Sequence, residues 1–126
     1  MTSITLMDSS ALLAFLWGES GTDEVMAAFS RGGAMCTAAN WSEVVAKVTS
    51  RGQDWSLAET ALLGQGLMII PVTTPDAVTA GLLWATYPFL SLGDRLCLAV
   101  GQRLQAIIIT ADRAWSEVSP QVRIIR

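Results

Sequence analysis

The sequence contains no histidine. That absence excludes Ser-His-Asp and Cys-His nucleophilic machinery and the H-E-x-x-H zinc proteases, all of which need an imidazole. Cysteine is nearly as scarce. Cys36 and Cys97 form no C-x-x-C pair and each lies inside an apolar segment, so a zinc site built on cysteines is excluded. Both read as free buried thiols in a reducing cytoplasm. Charge is sparse as well: 15% of residues are charged, acids outnumber bases 11 to 8, and the net charge is −3. A pI near 4.7 argues against binding nucleic acid through a broad basic surface. It leaves room for an acidic site that approaches phosphate through divalent cations. No run reaches the ~20 apolar residues of a membrane span. The longest, Ala11 to Trp17, follows Asp8 and has no basic flank, so no signal peptide is expected. Catalysis, if present, must rest on carboxylates, hydroxyls, a few basic groups or a cofactor.

Apolar residues are plentiful, at 52% with a mean hydropathy of +0.45. That is rich for an isolated soluble chain and points to apolar surface covered by a partner. The 126 residues fit one domain, read over 1–126, and roughly two-thirds of the unfolded surface is buried at that size.

Strands are expected at Ile4 to Met7, Ala34 to Thr37, Leu67 to Ile70, Ala106 to Thr110 and Val122 to Ile125. Helices are expected over Ala11 to Trp17, from a Ser20/Asp23 capping box to Phe29, over Ala38 to Arg51, and from a Ser56/Glu59 box to Gly64 or Gly66. Further helices run from Thr74-Pro75-Asp76 to Tyr87, from Ser91 to Leu104, and briefly near Arg113 to Glu117. Strands alternate with helices, and each strand is a short continuous apolar run, the signature of a parallel sheet covered on both faces.

In such a sheet the site lies beyond the carboxyl ends of the strands, where strand order reverses. Asp8 follows the first strand and Asp112 the fourth, so topology can bring both to one crevice. The plainer reading is that each caps the helix it precedes; an Asp8 cap would leave Ser9 and Ser10 redundant as caps, which tilts against that reading for Asp8. Asp94 sits in Ser91-x-x-Asp94, itself a capping-box pattern, yet its helix start is within reach of the same crevice. Glu43 is the weakest candidate on spacing. Trp41, Val44, Val45 and Val48 form the apolar stripe of its helix, and Lys47 four residues on makes a solvated pair the default reading. Ser9 and Thr110 adjoin the acids and can orient them, or can serve as chain caps. Arg95 and Arg113 each follow an acid and can clamp a phosphate, or pair at the surface. Trp17, Trp41, Trp84 and Trp115 can stack bases, although at helical spacing among leucines they read as core or interface.

Four segments carry a resemblance to a known family. Leu90-Ser91-Leu92-Gly93-Asp94-Arg95-Leu96-Cys97-Leu98-Ala99 is similar to the third-acid motif of VapC-type PIN domains. Thr110-Ala111-Asp112-Arg113-Ala114-Trp115 resembles the T-x-D-x-x-[FW] element of that family, Asp8-Ser9-Ser10 its first acid, and Asn40-Trp41-Ser42-Glu43-Val44 its E-V element. The motifs come in family order and span nearly the whole chain. The resemblance implies a PIN-like three-layer α/β/α sandwich with a central, mainly parallel sheet of four to five strands. It implies a cytoplasmic endoribonuclease using Mg²⁺ or Mn²⁺ held by Asp8, Glu43, Asp94 and Asp112. It also implies a homodimer, a tRNA or ribosomal RNA substrate, and a VapB-like antitoxin whose C-terminal segment covers the site. Glu43 and Asp94 rank as site residues on the resemblance, not on spacing.

Two rivals fit less well. A haloacid-dehalogenase-like phosphatase wants an acid where Ser10 stands, and a receiver domain wants an acceptor Asp where Pro71-Val72-Thr73 follows the third strand. A PIN domain retained only as an RNA- or protein-binding module is the alternative that keeps the fold and drops the chemistry.

Overall fold

A computed structural model describes residues 4–126. The chain runs β1 (Thr5–Met7), α1 (Ser9–Trp17), α2 (Thr22–Arg31), β2 (Ala34–Thr37), α3 (Ala38–Ser50), α4 (Trp55–Leu63) and β3 (Met68–Ile70). It continues through α5 (Thr74–Leu83), α6 (Leu92–Leu104), β4 (Ile107–Thr110), a 3-10 turn at Arg113–Trp115 and β5 (Val122–Ile124). The five strands are ordered β3-β2-β1-β4-β5 and every neighbouring pair is parallel. β1 is central, and the order reverses between β1 and β4.

Strand side chains alternate between two cores, one on each sheet face. Met7, Ala34, Cys36 and Ile109 pack with helix residues Ala11, Leu12, Val44 and Val48. Leu6 and Ile108, interleaved with them, pack with Cys97, Leu98, Val100 and Trp115. Helices therefore cover both faces, which is why the strands read as unbroken apolar runs.

Three local expectations are corrected. α2 is not capped by Ser20. Gly21 takes the N-cap at φ 97° without a side-chain cap bond, and a Cβ there would fall 2.5 Å from the Ile125 carbonyl oxygen. Only glycine tolerates both the backbone angle and that approach. α4 is capped by Asp54, whose carboxylate accepts from the Ser56 N–H at 2.9 Å, rather than by Ser56. α5 stops at Leu83, not Tyr87, because Trp84, Ala85 and Thr86 bond back three residues and tighten the chain into turns ahead of Pro88. The capping boxes of Thr73 with Asp76 and of Ser91 with Asp94 are both formed.

Candidate active site

Asp8 stands at the end of central β1, with its N–H bonded to the Ile109 carbonyl of β4 at 3.1 Å. Its carboxylate is 2% exposed and fully engaged. Oδ1 accepts from the Ala11 N–H at 2.9 Å and the Ser10 hydroxyl at 2.7 Å, and Oδ2 accepts from the Thr110 hydroxyl at 2.5 Å. Asp8 is thus both the cap of α1 and a buried acid at the switch point, so the two sequence readings coexist. Burial pushes its pKa up to about 6 against the pull of those three hydrogen bonds, and the Asp94 charge adds to the rise.

Ser10, rather than Ser9, holds Asp8 in place. The Ser10 oxygen also accepts from the Ala111 N–H at 2.8 Å and lies 3.2 Å from the Thr110 hydroxyl, stitching α1 to the end of β4. Thr110 additionally accepts from the Asp112 N–H at 3.0 Å. Asp112 caps the following 3-10 turn through the Ala114 N–H and remains exposed.

Asp94 reaches the same region from the start of α6, where its carboxylate accepts from the Ser91 N–H at 3.2 Å. Its pKa is raised chiefly by burial, with added repulsion from Glu43 and Asp112. Asp94 therefore links the set: the charges of Glu43 and Asp112 act on it, and its own charge acts on Asp8.

Glu43 does not pair with Lys47. Its carboxylate accepts from the Asn40 amide at 2.5 Å and lies so near α6 that a Cβ on Gly93 would fall 2.6 Å from Glu43 Oε2. The docking of α3 against α6 turns Glu43 toward Asp94. Asn40, fully buried, was missed as a separate candidate; its i, i+3 spacing to Glu43 was the available signal.

The two arginines that follow the acids lie in different settings. Arg95 donates to the backbone carbonyls of Ala80 and Leu90 at 2.9 and 3.4 Å, tying α6 to α5, and Arg113 is exposed. Trp115 is fully buried in the core and Trp84 is exposed. Cys36 and Cys97 are free and buried, and burial with the Asp8 charge pushes both thiols up, so neither is a nucleophile.

A family model for the PIN domain matches residues 5–119. The chain belongs to the PIN domain family. A solved structure with the same fold comes from a toxin-antitoxin complex from Klebsiella pneumoniae, with a TM-score of 0.79 and 20% identity over 97% of this chain and 98% of that one. No curated protein matches the chain in sequence. The PIN-like three-layer sandwich read from the sequence is the fold observed, with a sheet that is parallel throughout.

The donor chemistry of this PIN domain fits a hard divalent cation, since the four acids offer only carboxylate oxygen. Among the described residues none of them is in an ion pair; the two ion pairs join Arg103 to Asp76 and Arg126 to Glu19. The carboxylates do not converge on one point, and among the described residues no three acid or thiol side chains form a group that would hold an ion as they stand.

Proposed function

We propose that this PIN domain is a divalent-metal-dependent endoribonuclease, the toxin half of a VapC-type toxin–antitoxin pair that inhibits translation by cutting tRNA or ribosomal RNA in the cytoplasm. The observation that carries the reading is the repulsion centred on Asp94. Acids from four separate stretches of chain lie near enough to one another for their charges to add to the raised pKa values of Asp8 and Asp94, and among the described residues none of the four is in an ion pair.

Asp8, Glu43, Asp94 and Asp112 are the residues that would hold Mg²⁺ or Mn²⁺. Such an ion, when bound, supplies Lewis acidity that neutralises charge on the phosphodiester and brings the pKa of water toward neutrality. The remaining work belongs to the chain. Ser10, Thr110 and the Ala11 N–H fix both oxygens of Asp8, so its lone pairs are aimed before any ligand arrives. Asn40 restrains Glu43. Asp112 is the exposed member, open to an incoming phosphodiester.

A covering partner is supported by Leu57, Leu82, Trp84, Phe89 and Leu92, large apolar side chains left exposed. We assign the covering of these side chains to a second copy of this chain and to a VapB-like antitoxin.

The test is cleavage of a mixed tRNA and ribosomal RNA substrate by the purified protein with Mg²⁺ or Mn²⁺. Cleavage is expected to stop with chelator and in Asp8→Asn, with the circular dichroism spectrum unchanged. Metal-independent cleavage, or full activity in Asp8→Asn, would sink the reading.

A further inference from the structure

A second feature shares Ser10 with the acid site, although none of the four acids lines it. A groove of about 340 Å³ runs between α1 and α3, and Ser10, Trp17, Glu19, Lys47, Arg51 and Arg126 are among the residues that line it. Ser10 is the residue whose hydroxyl bonds Asp8, so the groove begins one side chain from the buried acid.

Three of the eight cationic side chains of the whole protein gather here, in a molecule of net charge −3. Arg126 is engaged by Glu19 at 2.8 Å. Lys47 and Arg51 are exposed and, among the described residues, take part in neither ion pair. The Arg51 guanidinium lies 3.5 Å over the Trp17 ring, and the Trp17 N–H is held by Gln53 at 2.8 Å. That stack holds one cation at a defined place on the wall.

The spacing along α3 gives the groove a direction. Glu43 and Lys47 follow at i and i+4 on one side of the helix, and Arg51, the residue that caps its C-terminus, comes at i+8. A rise of 1.5 Å per residue puts Lys47 about 6 Å and Arg51 about 12 Å beyond Glu43. Negative charge at the site thus gives way to positive charge at steps comparable to successive phosphates of an extended strand.

We propose that this groove binds the phosphate backbone of single-stranded RNA flanking the scissile bond, with Lys47 and Arg51 as the phosphate contacts and Trp17 as the platform that orders Arg51. The inference rests on the nuclease reading for its place in a reaction, but not for the binding it predicts. Backbone contacts of this kind position a strand without reading its bases.

The test is anisotropy of a labelled mixed-sequence RNA 12-mer titrated with the full chain in buffer without divalent metal, where hydrolysis does not interfere, at several salt concentrations. Lys47→Glu and Arg51→Glu are each expected to weaken binding roughly tenfold and to make the salt dependence shallower by about one contact. Arg51→Lys keeps the charge and should keep the salt slope. Arg123→Glu, an equal charge change in a different groove lined by Arg31 and Ile109, should leave binding unchanged. With Mg²⁺ present, the Lys47 and Arg51 reversals should raise KM and leave kcat near wild type. Melting curves matching wild type confirm that the exposed substitutions leave the fold intact. Unchanged RNA affinity in Lys47→Glu and Arg51→Glu would overturn the proposal and leave the groove to a protein partner, as would an equal loss in Arg123→Glu. RNA binding keyed to Lys47 and Arg51 in a wild-type protein that cleaves nothing would uphold the groove and sink the nuclease reading.

Discussion

Thr110 donates its hydroxyl to Asp8 Oδ2 at 2.5 Å, joining residues 102 positions apart in the chain across the seam between β1 and β4. One side chain thus holds the buried acid and, through the Asp112 N–H, the start of the loop carrying the exposed one. Thr110→Val keeps the β-branched shape and deletes both bonds, together with the 3.2 Å contact to the Ser10 hydroxyl. A hydrogen bond to a charged group contributes about 1.5–3 kcal/mol, so urea unfolding at pH 7.5 should show a loss in that range. The deficit should shrink at pH 5, where Asp8 is protonated. An equal loss at both pH values would mean that Thr110 matters only as packing.

Asp8 itself links stability to pH. Its folded pKa of about 6 lies above the ordinary 3.8, with burial the main cause. A raised folded pKa means that the native state holds the proton more tightly. The stabilising contribution is therefore fully present below about pH 3.8 and is lost as pH rises through about 6. A rise of about two units corresponds to about 3 kcal/mol. In chelator, the melting temperature of the wild type should fall between pH 5 and 7.5, and Asp8→Asn should be flatter over that window. Identical pH profiles would remove the electrostatic account of this site.

Much of the fold was legible because it rests on local patterns. Continuous apolar strands, helices between them and the Ser91 capping box all read correctly, and the position of Asp8 after a central strand followed from topology. What failed depended on parts of the chain that meet only on folding. Gly21 serves as a cap because Ile125 crowds it. Glu43 abandons Lys47 because α6 packs against α3, and nothing within one helix turn of Glu43 announces that neighbour. Ser9 and Ser10 differ by one position in sequence, yet only Ser10 reaches Asp8, Thr110 and Ala111.

A second pH effect has the opposite sign and a separate origin. Asp76 is 2% exposed and forms a paired contact with Arg103 at 2.8 and 2.9 Å, which holds its pKa down at about 2. A depressed folded pKa gives stability that is present above the ordinary 3.8 and lost as pH falls through about 2. Arg103 is partly open to solvent, which screens the pair, so about 1–2 kcal/mol is the expected size. Asp76→Asn should remove that acid-side loss between about pH 4 and 2 while sparing RNA cleavage at neutral pH, since α5 carries none of the four acids. Acid unfolding unchanged by Asp76→Asn would refute the assignment.

Two glycines of α6 separate the site from the fold. A Cβ at Gly101 would meet Ile108 Cδ1 at 2.5 Å inside the core, so Gly101→Ala should cost about 1–3 kcal/mol by overpacking and leave cleavage per folded molecule near wild type. A Cβ at Gly93 would instead meet the Glu43 carboxylate, at 2.6 Å from Oε2 and 2.9 Å from Cδ. That carboxylate ends a flexible side chain and can swing aside, so Gly93→Ala should leave unfolding in urea within about 1 kcal/mol of wild type. Moving the carboxylate takes one acid out of its place beside Asp94, and displaced supporting groups of this kind typically cost 10–100-fold in metal affinity or activity. The rise in melting temperature produced by Mg²⁺ or Mn²⁺ should therefore shrink in Gly93→Ala, as it should in Glu43→Gln and Asp94→Asn. Calorimetric scans with and without metal on the Gly93→Ala and Gly101→Ala proteins decide the matter. A full metal-induced shift in Gly93→Ala would remove Glu43 from the ligand set, because the one change forced on the protein would have moved it without consequence.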